Sequence, residues 1–363
     1  MSTVDSSTTV KSSGVSTSKA EKKSIQLAIM TSNEKGFIPC VTDSITWTLD
    51  RWGSPGKLTF KVLQDDILDF EEGNCVQLRY GDLDLFKGYV FTKKQDRNKV
   101  VNVTAYDQLR YLKNKDIYQF INIKASEVVQ RIAEDFKLTV GEVEDTKYVI
   151  PKMRSSNETL FDTIGKALAH TYLYSKTENG EPEKKFYILY DNFGKLCLKE
   201  VGSLDVPILI DSETAENFSF ETSIDKDTYN TIKLYEDDKQ SGKRQVYIAR
   251  NEAFQQRWGI LQKTESINSK KCANPNEKAK RMLDSYNFAK KTLTISNALG
   301  DCRVRAGSRI WVSLKVKDST SNLGDGKQAV QMLVESVKHK FTNDYYTMDL
   351  TLKGGALGEQ TTG

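Results

Sequence analysis

The sequence predicts a mainly β protein with an α+β insertion, in which two related β-barrel-like domains flank a small mixed α/β domain. Three observations support this fold class. Residues 70–112 alternate apolar and polar side chains over three segments separated by charged turns, which is typical of an antiparallel meander. A similar pattern recurs at 305–353. Between the two copies, helical spacing of apolar residues appears in two stretches.

The first meander begins at a turn closed by Gly73. Its three strands carry apolar residues at alternate positions or in short runs: Val76, Leu78 and Tyr80, then Leu85, Phe86, Tyr89, Val90 and Phe91, then Val101, Val103 and Ala105. Asp107 follows the third strand. We expect its carboxylate to cap a short helix over 108–113, because the first N–H groups of a helix lack backbone partners.

The second copy matches the first at fixed distances. Gly307 lies 234 residues after Gly73, and both glycines are followed by apolar residues at the same offsets. Val337 precedes Met348 by eleven residues, as Val90 precedes Val101, so the later strands are 247 residues apart. The second copy therefore carries thirteen extra residues, which we assign to 317–329. We expect Val90 and Val337 to be equivalent and to face their respective cores.

Composition and periodicity divide the chain into five parts. Residues 1–23 are rich in Ser and Thr with almost no large apolar residue, which predicts a disordered tail. Residues 24–112 form the first β-barrel-like domain, and 113–218 form the mixed α+β domain. Residues 219–353 form the second β-barrel-like domain, with a helical insertion near 274–288, and 354–363 form a flexible tail.

Capping residues, apolar spacing and a proline predict the helices and strands after residue 112. Ser126 is expected to cap a helix that continues to Phe136, and a second helix is expected over 157–172. A hairpin follows over 186–200. The segment from Trp258 to Gln262 is predicted to be a strand. Pro275 suits the first position of the next helix, where its missing N–H costs nothing.

Composition argues against several classes of partner. The formal charge of +4 arises from 53 basic and 49 acidic residues that are mixed along the chain, unlike a nucleic-acid-binding surface. No apolar run approaches the ~20 residues that span a bilayer. The five cysteines are far apart, and no pair has the spacing of a zinc site. We therefore expect no nucleic acid, no membrane insertion and no metal or cofactor.

No group of residues predicts catalysis. His170 falls near the end of a predicted helix, where the dipole favours a cation. A Cys197–His170 nucleophilic pair is the alternative, but nothing nearby marks the thiol as activated. His339 lies in a predicted strand and reads as a structural or interface residue. The paired carboxylates fall in predicted turns, where solvent surrounds them: Asp65-Asp66, Glu71-Glu72, Asp82 with Asp84, and Asp237-Asp238. We predict no catalytic, cofactor-binding or metal-binding residue.

Short motifs in a fixed order resemble those of the baseplate hub proteins of contractile phage tails and R-type bacteriocins. The similarity is to the Gram-positive prophage form, a late-control-protein-D-like family, and it covers roughly residues 24–353. The matching motifs are Gly73-Asn74-Cys75-Val76, Leu85-Phe86-Lys87-Gly88, Ala105-Tyr106-Asp107 with Tyr111-Leu112, Ile150-Pro151 followed by Thr159-Leu160, and Val334-Glu335-Ser336-Val337-Lys338-His339 with Thr347-Met348-Asp349-Leu350.

The resemblance implies a non-enzymatic structural protein. It implies a homotrimeric, pseudo-sixfold ring that joins the hexameric tail tube to the trimeric spike. The implied partners are the chain itself, the tail tube protein and the spike protein, with tape-measure and inner wedge proteins as further neighbours. The implied location is the tail baseplate of a virion or bacteriocin particle assembled in the host bacterial cytoplasm. Two similar barrels in each of three chains present six similar surfaces to the tube while the spike retains threefold symmetry.

Two other classes stay open at this point. One is a tail-associated cell-wall hydrolase, which a zymogram would detect. The other is a carbohydrate-binding module, which the 16 Tyr and 4 Trp residues allow. Such a module needs a row of exposed aromatic side chains, and the sequence does not establish the exposure of Trp47 or Trp311.

Overall fold

The computed structural model describes residues 24–31, 36–64, 68–177, 179–180, 183, 185–237, 243–267, 274–316, 329–342 and 345–354. Within these ranges the fold is mainly β, as predicted, and thirteen strands belong to one sheet. The predictions for the tail 1–23 lie outside the described residues. Those for the segment 317–329 and the tail 354–363 lie outside them except at one terminal residue each.

The first half of the large sheet contains seven strands in the spatial order β3-β4-β7-β6-β5-β1-β2. One face of each strand except the two-residue β2 is buried, as the alternating sequence predicts, and Trp47, Leu58, Val76 and Val103 are among the core side chains. The strands are β1 Ile25–Met30, β2 Gly36–Phe37, β3 Ile45–Asp50, β4 Lys57–Leu63, β5 Cys75–Tyr80, β6 Leu83–Gln95 and β7 Val100–Tyr106.

A mixed unit with its own apolar core follows β7. It starts with a 3₁₀ helix, Gln108–Lys113, which Asp107 caps as predicted by accepting a 3.0 Å hydrogen bond from the Leu109 N–H. Its two α-helices pack with a two-stranded and a three-stranded sheet. The elements are β8 Lys115–Lys124, α1 Ala125–Asp135, β9 Val140–Val143, β10 Val149–Thr159, α2 Leu160–Tyr174, β11 Tyr187–Asp191 and β12 Leu196–Glu200.

The predicted cap of α1 is wrong. The helix begins at Ala125, and Ser126 lies inside its first turn and is buried. The Ser126 backbone N–H donates to the Thr146 hydroxyl at 3.1 Å, and the Ser126 hydroxyl lies 3.4 Å from it. Ser126 therefore ties α1 to a neighbouring loop, while the Glu127 carboxylate accepts the Lys124 N–H at the helix start.

The second half of the large sheet has the spatial order β14-β18-β21-β20, with β19 beside β20 and β13 beside β19. A short 3₁₀ helix, Val201–Leu204, leads into it. The strands are β13 Leu209–Asp211, β14 Ala215–Ser223, β18 Lys290–Leu299, β19 Arg309–Ser313, β20 Val330–Phe341 and β21 Tyr346–Lys353. Its buried residues belong to the same apolar cluster as those of the first half.

A small α+β unit is inserted between β14 and β18. Three strands in the order β16-β15-β17 bury Ile232 and Leu234 against Ala279 and Leu283 of a helix. The elements are β15 Thr231–Asp237, β16 Arg244–Arg250, α3 Glu252–Trp258, β17 Gln262–Ser266 and α4 Pro275–Tyr286. Pro275 begins α4, as predicted.

The predicted strand from Trp258 to Gln262 is wrong. Trp258 ends α3, and Gly259 then turns the chain with a positive φ of 76° before β17 starts. The apolar Ile260 and Leu261 lie in this turn, and they resemble a strand only in composition.

The internal repeat is confirmed by strand register. Cys75 and Val76 pair with Tyr89 and Gly88, just as Arg309 and Ile310 pair with Leu333 and Met332. Val76 and Ile310 are therefore equivalent. The preceding turns match too. The Gly73 N–H donates to the Val90 carbonyl and the Gly307 N–H to the Val334 carbonyl, each at 2.8 Å, and both glycines adopt the left-handed conformation.

The predicted equivalence of Val90 and Val337 is wrong, although both side chains face the core. The counterpart of Val90 is Val334, because Val90 pairs with Ala105 and Val334 pairs with Leu352. A bulge after each of these valines shifts the alternation by one residue, so Val334 and Val337 are both buried and the sequence pattern does not distinguish them. Of the thirteen extra residues, ten precede Val334 and three lie in the β20–β21 hairpin.

Candidate functional site

The two halves of the large sheet are joined by one antiparallel pairing. It runs from Ser336 opposite Asp50 to Phe341 opposite Ile45, between the second part of β20 and strand β3. The repeat assigns a counterpart to each of these strands. Trp47 of β3 pairs with Leu58 on β4, and Phe220 of β14 pairs with Leu293 on β18. Because β18 is the repeat counterpart of β4, β14 corresponds to β3. Residues 92–95 of β6 correspond to 336–339 of β20.

The counterparts of this joint are open edges. Among the described residues, β14 pairs only with β18, and residues 92–95 pair only with β7. We call Ala215–Ser223 the β14 edge and Thr92–Gln95 the β6 edge. The outward N–H and C=O groups of an edge strand are a template for pairing with another chain. One chain therefore contains a formed joint and the two separate edges of an equivalent joint.

Rows of hydroxyl side chains cross both halves on the face opposite the core. In the first half, neighbouring strands place Thr46, Thr59, Thr104 and Thr92 side by side. In the second half, the corresponding positions are Ser219, Thr294, Thr351 and Ser336. Threonine suits a strand without adding an apolar surface. Both halves thus present an uncharged, hydrophilic row at equivalent positions.

A buried aromatic stack strengthens the joint between β3 and β20. The His339 ring stacks on the Trp47 ring with a centroid distance of 5.0 Å. His339 is fully buried, its Nε2 is 3.0 Å from the Val304 carbonyl, and its Nδ1 is 2.8 Å from the Tyr346 hydroxyl. A neutral ring satisfies both contacts by donating from Nε2 and accepting at Nδ1. His339 is thus a structural residue, one of the two roles that its sequence position predicts.

Burial makes His339 a source of acid sensitivity. Desolvation lowers its pKa to about 4, with a further lowering contribution from the nearby Arg305. Because the folded pKa is below the unfolded value of 6.5, the unfolded state binds the proton first. His339 therefore reduces stability as pH falls from about 6.5 towards 4, by up to about 3 kcal/mol.

We expect His339→Gln to lose stability at pH 7 but to show a smaller further loss between pH 7 and pH 4.5 than the unmodified protein. Urea unfolding at both pH values measures the difference. His170→Gln is the control, because His170 is only partly buried near the end of α2. An undiminished acid loss in His339→Gln would show that His339 does not control this transition.

A cluster of charged side chains, in which Asp107 and Asp191 are buried and Arg305 is half-buried, joins the two sheet halves to the mixed unit. Asp107 follows β7, Asp191 ends β11, and Arg305 precedes β19. The Arg305 guanidinium donates to the Asp191 backbone carbonyl and lies 5.3 Å from the Trp47 ring and 5.2 Å from the Tyr190 ring. The Asp107 carboxylate accepts the Gly56 N–H at 2.9 Å, and Asp191 accepts the Gly194 N–H at 2.7 Å. These contacts connect all three regions through one cluster.

The electrostatics of this cluster are set by burial. Desolvation raises the pKa of Asp107 well above its usual range and raises that of Asp191 to about 6. Burial also lowers the pKa of Arg305, which the nearby carboxylates oppose. The cavity beside these groups holds only about 20 Å³, enough for a water molecule but not for a sugar or peptide. We interpret the cluster as a structural connection and not as an acid–base pair for catalysis.

The structure does not bring the other sequence candidates together. His170 packs beside Tyr174, whereas Cys197 lies buried in β12 against Gly141, and burial raises the pKa of its thiol. An activated nucleophile needs the opposite shift. Glu71, Glu72, Asp82, Asp84 and Asp237 are exposed in or beside turns, while Asp65, Asp66 and Asp238 lie outside the described residues.

The described side chains contain no group of three or more His, Cys, Asp or Glu residues placed to hold a metal ion. In the same part of the chain, every helix is too short or too polar to cross a membrane. Trp47 is fully buried and Trp311 is 43% exposed.

Comparison with known proteins identifies relatives of similar length. The YqbQ protein of Bacillus subtilis strain 168 is 28% identical over 325 residues, which cover 87% of this chain and 93% of that protein. The XkdQ protein of the phage-like element PBSX, from the same strain, is 27% identical over 298 residues, covering 80% and 87%.

The fold is shared with a solved tail protein. The 43 kDa tail protein of prophage MuSo2 from Shewanella oneidensis superposes with a TM-score of 0.63 at 9% identity, over 93% of this chain and 100% of that one. At this identity the likeness concerns the fold alone. The YqbQ-like family profile matches residues 45–353, which include the first sheet half from β3 onward, the mixed unit and the second sheet half. The chain therefore belongs to the YqbQ-like family.

Proposed function

We propose that this protein is the hub of a contractile tail, a homotrimeric ring that joins the tail tube to the spike. In the proposed ring, the two sheet halves supply two similar units with the mixed unit between them, and the second unit starts at β13, before the predicted boundary at residue 219. The chain is a structural protein of the phage-tail type and not an enzyme. Its place is in a tail particle.

One observation carries the proposal of a ring. Each chain contains the β3–β20 joint once and leaves the counterpart edges, β14 and β6, unpaired within the described residues. Pairing the β14 edge of one copy with the β6 edge of the next would repeat the joint between copies. Three copies would then give six similar units, which matches a sixfold tube while keeping threefold symmetry for a spike. The hydroxyl rows would form one face of the resulting sheet.

The repeat fixes the register of this contact. Within the chain, Lys338 of β20 lies opposite Thr48 of β3. Their counterparts are Lys94 and Glu221, so the proposed contact places opposite charges face to face. Both side chains are exposed in the single chain. An opposite-charge pair across strands contributes about 0.2–1 kcal/mol, and a closed trimer contains three such pairs.

We expect Lys94→Glu to weaken trimer formation, because it places two carboxylates opposite each other at every joint between copies. The double variant Lys94→Glu with Glu221→Lys should restore the trimer, since it exchanges the charges and keeps the pair. Sedimentation equilibrium, with and without tube protein, measures the change. Lys113→Glu is a charge-matched control away from both edges.

Two results would contradict the proposal. A Lys94→Glu trimer as stable as that of the unmodified protein would show that the contact between copies uses another surface. A reconstruction of the tail tip with one or six copies of this chain, or with the chain in outer wedges or fibres, would refute the hub function itself. A zymogram in which the purified protein digests cell wall would favour the hydrolase alternative.

A further inference from the structure

A cavity of about 270 Å³ opens where β6 meets the mixed unit. Its polar lining comes from Lys87 and Tyr89 of β6, Gln108 and Tyr111 of the first 3₁₀ helix, and Lys137 and Thr139 after α1. The lining includes two ammonium groups, two phenols and a hydroxyl but not a single carboxylate. This arrangement offers hydrogen-bond donors and positive charge to whatever enters it.

Within the described residues, neither lysine of this cavity forms a hydrogen bond or an ion pair. Other lysines of the mixed unit differ, since Lys124 and Lys147 both pair with Asp145 at 3.1 Å. The Asp191 carboxyl is close enough to interact electrostatically with Lys87, but it is buried, forms no ion pair with that lysine and accepts the Gly194 N–H at Oδ1. Two unpaired cations beside one cavity favour an anion between them.

The walls of the cavity are held by the fold. The Gln108 amide makes two 3.0 Å hydrogen bonds to the backbone of Thr139, which fixes the helix against the segment after α1. The stem of Lys87 packs on Gly194, where a Cβ would approach within 3.0 Å of Lys87 Cδ. The Leu138 N–H donates to the Ala133 carbonyl at 2.8 Å and so fixes the chain beside Lys137. A preformed site of this kind binds without a large ordering cost.

We propose that this cavity binds an anionic oxygen group, a carboxylate or a phosphate, between Lys87 and Lys137, with the hydroxyl groups of Tyr89 and Tyr111 as additional donors. The group is carried either by a small free anion or by an acidic side chain of a neighbouring protein in the tail. The site is independent of the two sheet edges, so it does not depend on the ring.

Titration of the folded protein with citrate and with inorganic phosphate, at constant ionic strength, tests the free-anion source. We expect saturable binding by calorimetry, weakened about fivefold by Lys87→Gln or Lys137→Gln and lost in the double variant. Lys113→Gln is the control, because Lys113 ends the same 3₁₀ helix without lining the cavity. Far-ultraviolet circular dichroism and the melting temperature establish that each variant is folded.

Zero-length carbodiimide cross-linking of purified tails, read by mass spectrometry, tests the neighbouring-protein source. A cross-link from Lys87 or Lys137 to a partner carboxylate, absent in the double glutamine variant, supports the proposal even where free anions do not bind. Binding that is unchanged in the double variant overturns it. The absence of both saturable anion binding and a cross-link also overturns it.

Discussion

Replacing Val90 or Val337 by aspartate is expected to prevent folding at neutral pH. The two side chains are 2% and 1% exposed, and they lie in the cores of the first and second sheet halves. An aspartate at either position would be buried without a partner and would leave a mismatch in packing. We expect each substitution to reduce the free energy of unfolding by more than about 4 kcal/mol.

Urea unfolding followed by tryptophan fluorescence measures this loss, and the soluble yield reports complete failure to fold. Val246→Asp is the matched control, since Val246 lies on β16 and is 41% exposed. It should change stability by less than about 1 kcal/mol. If Val90→Asp and Val337→Asp both unfold like the control, the two valines do not face the cores in solution.

The repeat could be predicted because strand alternation and turn glycines are both visible in the sequence. Gly73 and Gly307 adopt the same left-handed conformation, and the strands after them share a register. The shift between Val334 and Val337 was not predictable. A bulge follows Val334, as one follows Val90, and a bulge changes which residues face inward without changing how apolar they are.

The charged cluster could be predicted only in its local parts. Asp107 caps a 3₁₀ helix and Asp191 precedes a turn, and both functions follow from nearby sequence. Their shared burial with Arg305 depends on contacts across the fold, since Arg305 and Asp191 are 114 residues apart. No periodicity or short motif connects them. The open sheet edges likewise become visible only when the pairing of every strand is known.

The aromatic and charged contacts distinguish the joint within the chain from its proposed counterpart between chains. Trp47, His339 and Arg305 meet at the β3–β20 joint. The repeat places Phe220, Gln95 and Glu71 at the corresponding positions, and these cannot form the same stack. In the proposed ring, the joints between copies are therefore weaker than the joints within each chain. The ring would separate into intact chains before the two halves of one chain came apart.

Arg305 itself is expected to have the other large effect. Arg305→Met removes the guanidinium beside Asp107 and Asp191 while keeping an unbranched stem between Trp47 and Tyr190. Breaking a buried charge group in this way costs about 3–5 kcal/mol, because a carboxylate is left without compensation. Arg309→Met is the control: Arg309 pairs with Asp205 near the surface, where an ion pair contributes about 1 kcal/mol or less.

The pH dependence of Arg305→Met stability distinguishes a loss of charge compensation from a loss of packing. The folded pKa of Asp191 is about 6, above the unfolded value of 3.8, so its protonation favours the folded state. This contribution is fully present below the unfolded pKa and is lost as pH rises through about 6. Arg305→Met should therefore lie closest to the unmodified protein near pH 5 and furthest from it near pH 8. The double variant Arg305→Met with Asp191→Asn, measured by urea unfolding, should recover stability at pH 8. A deficit in Arg305→Met that is equal at both pH values, with no recovery in the double variant, would assign the function of Arg305 to packing alone.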